Sequence, residues 1–374
     1  MDKIDEICVK EKKNHMDVEE KMIYAPVVIP TLCRSTHFKR TVESLKRNGW
    51  AKHTDVYIGL DYPPAEKYEQ GWKEICDYLE TGDFSVFNKF VVFKRDKNMG
   101  SYENSVDIVY RIKKLNYDRW IYSDDDIEYA PNFLEYMNKC LAKYINDPRV
   151  FAVTSYSYPV EWTLTEGSTC FLQDFNVCSW GLGFMREKEE AFYQYAISGN
   201  LVKAAPEVIK NGSYKKMLDA CFYDYFYAAL SSDPSKPNMM KQETDVSMRA
   251  YIAHKNMYCV SPAISKSRNY GFDGSGEYCQ KTNGEKNANI ADNYNYSSQP
   301  IDEAETFELI ADDDPSHLEI NRQKLNAFDY RPPEVMELAH QNFKLIKWFG
   351  LPLAKIIHLG CFAVKKMKST FTKK

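Results

Sequence analysis

The 374-residue chain lacks the marks of several large protein classes. Its ten cysteines include no CxxC pair, which argues against zinc ribbons and redox-active cysteine pairs. No run of about 18 uninterrupted apolar residues occurs, so the sequence predicts no membrane-spanning helix. The net charge of −4 provides no general basic field, and we therefore expect no nucleic acid partner.

The first 23 residues form a charged leader that lacks the apolar stretch of a secretory signal. We therefore expect a cytoplasmic protein whose cysteines remain reduced. The composition is otherwise that of a globular protein, with 44% hydrophobic and 27% charged residues. The aromatic share of 14% favours ring-lined pockets, although half-buried tyrosines explain it equally well.

Short apolar strands alternate with helical stretches along the first part of the chain. The pattern predicts strands at residues 25–30, 55–60, 90–93, 120–122 and 151–155. This alternation predicts an α/β fold with a doubly wound, mostly parallel sheet flanked by helices. Ligands of such sheets bind beyond the carboxyl ends of the strands. The polar residues at those ends are Thr31, Asp61, Asn98, Asp124, Asp125 and Asp126.

Two acidic triplets differ in their surroundings. Residues 124–126 directly follow a predicted buried strand, whereas residues 312–314 precede Pro315 and a helix-like stretch. Helix capping explains the second triplet. Carboxylates at a strand end can hold a hard cation together with phosphate oxygens, which neutralises the leaving group when a sugar is transferred from a nucleotide diphosphate. The first triplet therefore predicts a metal or diphosphate site.

Residues 122–136 resemble the metal-binding segment of GT-A glycosyltransferases, particularly N-acetylglucosaminyltransferase I and bacterial family 2-like glycosyltransferases. The resemblance implies the GT-A fold, with an irregular acceptor-binding half and a C-terminal helical extension. The last acid of that family's DXD motif coordinates manganese, which implies Asp126 as a ligand of Mn²⁺ or Mg²⁺. Asp124 and Asp125 would then serve the ribose and the sugar, or would support the metal ligand from behind.

Other segments resemble the same family in the same order. Residues 30–34 resemble its nucleotide-gripping loop, in which the bidentate donors of Arg34 suit a diphosphate; a solvent-facing turn is the alternative. Asp61 resembles the acid that contacts the uracil or ribose, with a helix cap as the alternative. Residues 97–101 resemble the turn of the donor pocket, and residues 175–184 the glycine-rich turn against the sugar. The implied nucleotide-sugar-binding residues are Thr31, Arg34, Asp61, Asn98, Gly100, Asn104, Asp124, Asp125, Trp180, Gly181 and Gly183.

An inverting transfer needs a general base for the acceptor hydroxyl. Residues 242–251 resemble the family helix that supplies it; we favour Asp245, with Glu243 as the rival and helix-terminal charge as the alternative for both. Residues 264–276 resemble the loop that closes over the donor. Relatives often have a metal-binding histidine after this loop, whereas this chain has Glu277, Tyr278 and Cys279 there. The expected metal ligands are therefore Asp126, phosphate oxygens and water.

These motifs predict four segments. Residues 1–23 are the leader, and residues 24–158 form a Rossmann-like half that binds the nucleotide sugar. Residues 159–299 form an acceptor-binding and catalytic half with a mobile loop over residues 271–298. Residues 300–374 are helical by pattern and end in a basic tail.

The predicted activity is that of a metal-dependent, inverting hexosyl- or N-acetylhexosaminyltransferase. The expected partners are a nucleotide-sugar donor and a glycan or lipid-linked acceptor in surface polysaccharide synthesis. A sugar nucleotidyltransferase is an alternative, although the turn at residues 30–34 lacks the glycines of its phosphate loop. A non-catalytic protein that binds sugar nucleotides or acts as a scaffold is the other alternative.

Residues 343–374 are apolar but interrupted by lysines. This pattern suits an interfacial helix that gives peripheral contact with an anionic membrane, such as the cytoplasmic face of the inner membrane. A terminal helix that packs on the domain and ends in a solvated lysine tail is the alternative.

Overall fold

A ten-stranded mixed sheet forms the centre of the protein, as seen in a computed structural model that describes residues 6–8, 23–230, 239–276 and 290–371. Strands β6 and β11 form a separate two-stranded sheet. The order across the large sheet is β1-β4-β3-β2-β5-β9-β7-β10-β8-β12. The strands are β1 Glu6–Cys8, β2 Val27–Thr31, β3 Asp55–Leu60, β4 Lys89–Lys94, β5 Arg119–Tyr122, β6 Ile127–Tyr129, β7 Val150–Thr154, β8 Cys170–Gln173, β9 Leu182–Met185, β10 Tyr258–Pro262, β11 Ser267–Asn269 and β12 Ala311–Asp312.

Helices cover both faces of this sheet. They are α1 Ser35–Lys46, α2 Glu69–Thr81, α3 Ser101–Lys114, α4 Phe133–Tyr144, α5 Arg186–Ile197, α6 Asn200–Lys203, α7 Ala205–Asn211, α8 Asp219–Leu230, α9 Asp245–Lys255, α10 Ile290–Asn293, α11 Pro315–Phe328 and α12 Pro333–Phe371. The predicted α/β class, with a mostly parallel sheet flanked by helices, is therefore confirmed. The GT-A assignment remains a prediction.

The parallel strands are apolar on both sides because helices bury both faces. In β2, Val27 and Ile29 pack into the cluster with α1 and α4, whereas Val28 packs into the opposite cluster with α3 and α8. Strands β2, β3, β4 and β5 are mutually parallel, so their carboxyl ends lie at one edge. The backbone N–H of Asp61 donates to the carbonyl of Thr31, which ties two of these ends together.

The second half of the chain is more regular than expected. Strands β8, β9 and β10 come from the segment predicted to be irregular, yet they belong to the same sheet as β2 to β5. Strand β9 runs antiparallel between β5 and β7. The predicted mobile loop is described only at residues 271–276 and 290–298, and the rest of it, like most of the predicted leader, lies outside the described residues.

The second acidic triplet caps a helix, as predicted. The Asp314 side chain accepts a hydrogen bond of 2.8 Å from the backbone N–H of Ser316, at the N-terminus of α11. Pro315 takes the first helical position, where a missing N–H costs nothing. Asp312 binds the His317 ring at 2.8 Å. These contacts account for the triplet without a ligand.

The last helix, α12, has a break at Gly350, whose φ of 70° lies in the left-handed region. Pro352 follows the break and is compatible with the first turn of a restarted helix. None of the helices in the described residues is long and apolar enough to cross a bilayer.

Candidate active site

The acidic triplet lies at the carboxyl edge of the sheet and is held by the loop after β2. Arg34 forms ion pairs with Asp125 and, at 2.8 Å, with Asp126. Thr31 donates a hydrogen bond of 2.7 Å to the Asp125 carboxylate. Thr31, Arg34, Asp125 and Asp126 are therefore brought together as the sequence led us to expect. The alternative of a solvent-facing Arg34 is wrong, because its guanidinium lies between two buried carboxylates.

Asp125 and Asp126 are buried, each with 6% of its surface exposed, whereas Asp124 is partly exposed. Desolvation, reinforced by the charge of Asp126, raises the pKa of Asp124 well above its ordinary value. Desolvation also raises the pKa of Asp126, although Arg34 opposes this effect. Tyr122 donates a hydrogen bond of 2.9 Å to Asp124. A cation placed at this edge would relieve the mutual repulsion of the three carboxylates.

Asp126 is the triplet residue that fits a metal. Its Oδ1 is buried and has no hydrogen-bond partner among the described residues. Mg²⁺ and Mn²⁺ accept a single carboxylate when phosphate and water oxygens complete the coordination. Within the same described ranges, no group of three or more His, Cys, Asp or Glu side chains is arranged to hold a metal ion. Asp126 as a metal ligand stays a prediction, and its unpartnered Oδ1 is the observation in its favour.

The segment after β11 covers Asp126. The Tyr270 N–H donates to the Asp126 carbonyl at 2.9 Å. A Cβ added at Gly271 would lie 2.1 Å from Asp126 Oδ2, so only glycine allows this approach. His37 pairs with Asp273 at 3.1 Å and holds the segment against α1. An open cavity of about 240 Å³ lies beside the covering segment, next to His37 and Phe272.

Asp61 organises the turn that precedes α3. Its carboxylate accepts hydrogen bonds from the backbone N–H groups of Met99 at 2.8 Å and Gly100 at 2.9 Å. It also accepts one from the Asn98 side chain at 3.1 Å. Gly100 has a φ of 84°, which this turn requires. Asp61, Asn98 and Gly100 thus form one unit at the strand edge, and their contact with a nucleotide stays a prediction.

Asn104 is a buried bridge rather than an exposed pocket residue. Its side-chain N–H donates to the Gly59 carbonyl at 2.8 Å, and its oxygen accepts from Arg95 at 3.0 Å. With 1% of its surface exposed, it fixes α3 on β3. Both polar atoms of its side chain have protein partners, and direct contact of Asn104 with the donor stays a prediction.

Packing accounts for the two glycines near Trp180. A Cβ at Gly183 would lie 2.8 Å from Met137 Cε on α4, and a Cβ at Gly181 would lie 2.2 Å from Ser155 Oγ. Gly181 also has a φ of 90°. These protein contacts are enough to explain why glycine occupies both positions. Close approach of a donor to Gly181 and Gly183 stays a prediction.

Trp180 belongs to an aromatic cluster beside the covering segment. Its ring lies 4.5 Å from Tyr156, 5.3 Å from Tyr296 and 5.5 Å from Phe272, measured between ring centroids. The ring is partly exposed. Because Phe272 follows directly after Gly271, this cluster connects Trp180 to the segment that covers Asp126.

Asp245 is the first residue of α9, which begins with a capping box formed by Thr244 and Ser247. Its carboxylate accepts hydrogen bonds from the side chain and the backbone N–H of Ser179 and faces the charge of Arg249. Desolvation nevertheless raises its pKa. The charge of Asp245 also contributes to the raised pKa of Asp124, so the two carboxylates share one electrostatic environment.

Glu243 lies in a different environment. Its Oε1 is buried without a hydrogen-bond partner among the described residues. Desolvation, with the charge of Glu189, raises the pKa of Glu243 to about 8, and Lys113 opposes this effect. Glu189 and Lys113 form a buried ion pair between α5 and α3. Of the two predicted bases, Asp245 is the one whose charge contributes to the raised pKa of a triplet residue, and the choice between the two stays a prediction.

We expect Glu243→Gln to make the protein more stable at pH 8 and to leave it unchanged near pH 4. The folded pKa of about 8 lies above the ordinary value of 4.5, so the wild type loses stability as the pH rises through this window. Glutamine stays neutral and avoids that loss. Thermal unfolding from pH 4 to pH 8 measures the difference. Glu305→Gln, at an exposed site, is the control; equal shifts in both variants would contradict the prediction.

Three residues of the site were missed from the sequence. Thr41 donates to the Asp125 carbonyl at 3.0 Å, Ser179 binds Asp245, and His37 anchors the covering segment. Each reaches a partner that is distant in the chain. The sequence offered one signal: His37 and Thr41 are four residues apart and therefore lie on the same face of α1. This spacing is equally typical of two residues that only pack against the sheet.

No protein-family model matches the chain. A search of curated proteins also finds no match. Several solved structures are similar to it. Mannosyltransferase PcManGT from Pyrobaculum calidifontis, in complex with GDP-Man and Mn²⁺, has 11% identity and a TM-score of 0.33 over 65% of this chain and 76% of that one.

S. aureus TarS has 12% identity and a TM-score of 0.31 over 64% of this chain and 35% of that one. TarS 1-349 in complex with UDP-GlcNAc has 14% identity and a TM-score of 0.26 over 39% of this chain and 36% of that one. The aligned part of this chain thus spans about a third of TarS. At these identities and TM-scores, the similarities assign no family to the chain.

Proposed function

We propose that the protein is a metal-dependent, inverting glycosyltransferase that transfers a hexosyl or N-acetylhexosaminyl group from a nucleotide-diphosphate sugar. The observation that carries this proposal is the acidic triplet at the carboxyl edge of the sheet, where Arg34 pairs with Asp125 and Asp126 and the buried Oδ1 of Asp126 has no partner among the described residues. Such a transfer needs a diphosphate site and a basic carboxylate, and we assign the second part to Asp245, whose charge contributes to the raised pKa of Asp124. The acceptor is a glycan or a lipid-linked sugar.

The donor would bind between the loop after β2 and the turn before α3. Asp126, with its unpartnered Oδ1, would hold the Mn²⁺ or Mg²⁺ ion. When bound, this ion supplies positive charge to the leaving diphosphate. Arg34 would hold the carboxylates of Asp125 and Asp126 in place through its two ion pairs. Asp124, the partly exposed member of the triplet, would face the sugar.

Asp245 would act as the general base. The acceptor hydroxyl oxygen forms a bond to the anomeric carbon, its proton passes to a carboxylate oxygen of Asp245, and the carbon–oxygen bond to the diphosphate breaks with both electrons leaving on the diphosphate. The raised pKa of Asp245 makes the carboxylate a stronger proton acceptor. The two hydrogen bonds from Ser179 fix its orientation.

The aromatic cluster supports binding of a sugar. Trp180 is partly exposed, and its ring packs against Phe272 of the covering segment. Apolar sugar faces pack on such rings, whereas their hydroxyl groups find partners at the rim. Ordering of residues 270–273 over Asp126 would exclude water from the reacting centre.

Isothermal titration calorimetry with UDP and GDP, each with and without Mn²⁺, tests the proposal. We expect one of the two nucleotides to bind only when Mn²⁺ is present. A panel of nucleotide sugars, analysed for free nucleoside diphosphate and for transferred sugar, then identifies the donor. Absence of metal-dependent binding by the wild-type protein would contradict the proposal. Binding without either transfer or slow donor hydrolysis would indicate a non-catalytic sugar-nucleotide-binding protein.

A further inference from the structure

The end of α12 exposes five large apolar side chains, which we call the tail face. They are exposed to a degree that is unusual for such residues in a folded domain: 67% for Trp348, 47% for Phe349, 46% for Leu353, 66% for Ile356 and 49% for Leu359. Scattered single apolar residues on a surface need no explanation, whereas these five lie within twelve consecutive residues of one helix, and such concentrations of exposed apolar side chains mark interaction sites.

The same helix is anchored to the domain by its opposite side. Ala339, Ile346 and Ala354 are almost completely buried and belong to the cluster that includes α7 and α8. Ala354 is flanked in sequence by the exposed Leu353 and lies two residues from the exposed Ile356. Residues on both sides of the break at Gly350 thus contact the core, so the tail face is held in place by the domain.

The segment of the chain that contains the tail face carries charge of one sign. Residues 338–374 contain no Asp or Glu and eight lysines: Lys344, Lys347, Lys355, Lys365, Lys366, Lys368, Lys373 and Lys374. Because the whole chain carries −4, this +8 leaves −12 for residues 1–337. An anionic surface would attract the end of the chain and repel the remainder, which orients the molecule.

We propose that the tail face docks on the surface of an anionic lipid bilayer. Helices that lie in the membrane–water interface typically combine exposed Trp, Phe and aliphatic side chains with lysines. The contact we propose is that of a helix lying in the interface. A second copy of the chain is a poorer occupant, since pairing the tail faces would bring two segments of charge +8 together.

Co-sedimentation of the full-length protein with vesicles tests the proposal independently of any enzymatic activity. We expect binding to equimolar phosphatidylcholine and phosphatidylglycerol, and much weaker binding to phosphatidylcholine alone or in high salt. Trp348→Ser combined with Ile356→Ser should weaken the partition coefficient about 10-fold. Lys344→Gln, Lys347→Gln and Lys355→Gln together should weaken it about 100-fold.

Ile320→Ser is the matched control, because Ile320 is an exposed apolar residue on α11 and lies outside the tail face. Circular dichroism verifies that each variant is folded. Unchanged vesicle binding by the Trp348 and Ile356 variant, or no binding by the wild type, would overturn the proposal. Sedimentation velocity tests whether a second copy of the chain binds the tail face instead. A wild-type dimer that becomes a monomer when Trp348→Ser and Ile356→Ser are combined would identify a self-association surface and would also overturn the proposal.

Discussion

Replacing Asp126 by asparagine is expected to lower sugar transfer by about 10³-fold, because the variant loses the anionic ligand that holds the cation against the leaving diphosphate. The nucleotide should then bind with the same affinity in the presence and absence of Mn²⁺. The structural basis is the buried Oδ1 of Asp126, which has no protein partner among the described residues. Steady-state kinetics and calorimetry measure the two effects.

The chain supplies a matched control for this substitution in its second acidic triplet. Asp314→Asn makes the same chemical change at the N-cap of α11, where asparagine caps as well as aspartate. Transfer and thermal stability should therefore remain at the wild-type level. Metal-dependent nucleotide binding that survives in Asp126→Asn would refute the assignment of Asp126. Loss of activity in both variants would show that the effect is not specific to the site.

Replacing Asp245 by asparagine is expected to lower kcat by about 10²- to 10⁴-fold and to leave metal-dependent nucleotide affinity intact. The reason is that Asp245 would contact the acceptor hydroxyl and not the nucleotide. Glu243→Gln is the comparison variant. It should retain sugar transfer, since the charges that act on Glu243 are those of Glu189 and Lys113 and not those of the triplet. The opposite pattern, with activity lost only in Glu243→Gln, would exchange the two roles.

The pH profile gives a second readout for the same base. Desolvation raises the pKa of Asp245, so transfer should fall as the pH is lowered through that raised value and protonates the carboxylate. The hydrogen bonds from Ser179 favour the charged form and oppose the rise. Ser179→Ala removes the side-chain bond and should move the acidic limb to higher pH. An unmoved limb would show that Ser179 does not position the base.

Local signals predicted much of this site. A buried strand that ends in a polar residue could be recognised from sequence, and parallel strands bring such ends to one edge, so Thr31, Asp61 and the triplet at residues 124–126 were placed together before the structure. The contrast with the capped triplet was also readable, because Pro315 and the helix after it are local features.

The roles of individual side chains were less predictable. Asp61 could contact a ligand or support the backbone, and its hydrogen bonds to Met99 and Gly100 favour support. Asn104 looked like a pocket residue until its two protein partners on β3 and at Arg95 were located. In both cases the deciding partners come from another segment of the chain, and polar residue types alone do not specify them.

The sequence by itself determined the alternation of strands and helices, the acidic triplet at the end of β5 and the all-lysine charge of the last residues. Only the tertiary structure decided that β9 lies reversed between β5 and β7 and that Arg34 joins Asp125 to Asp126. The physical reason is that periodicity and turn chemistry act over a few residues, whereas these pairings depend on long-range packing of a sheet whose strand order the local pattern does not encode.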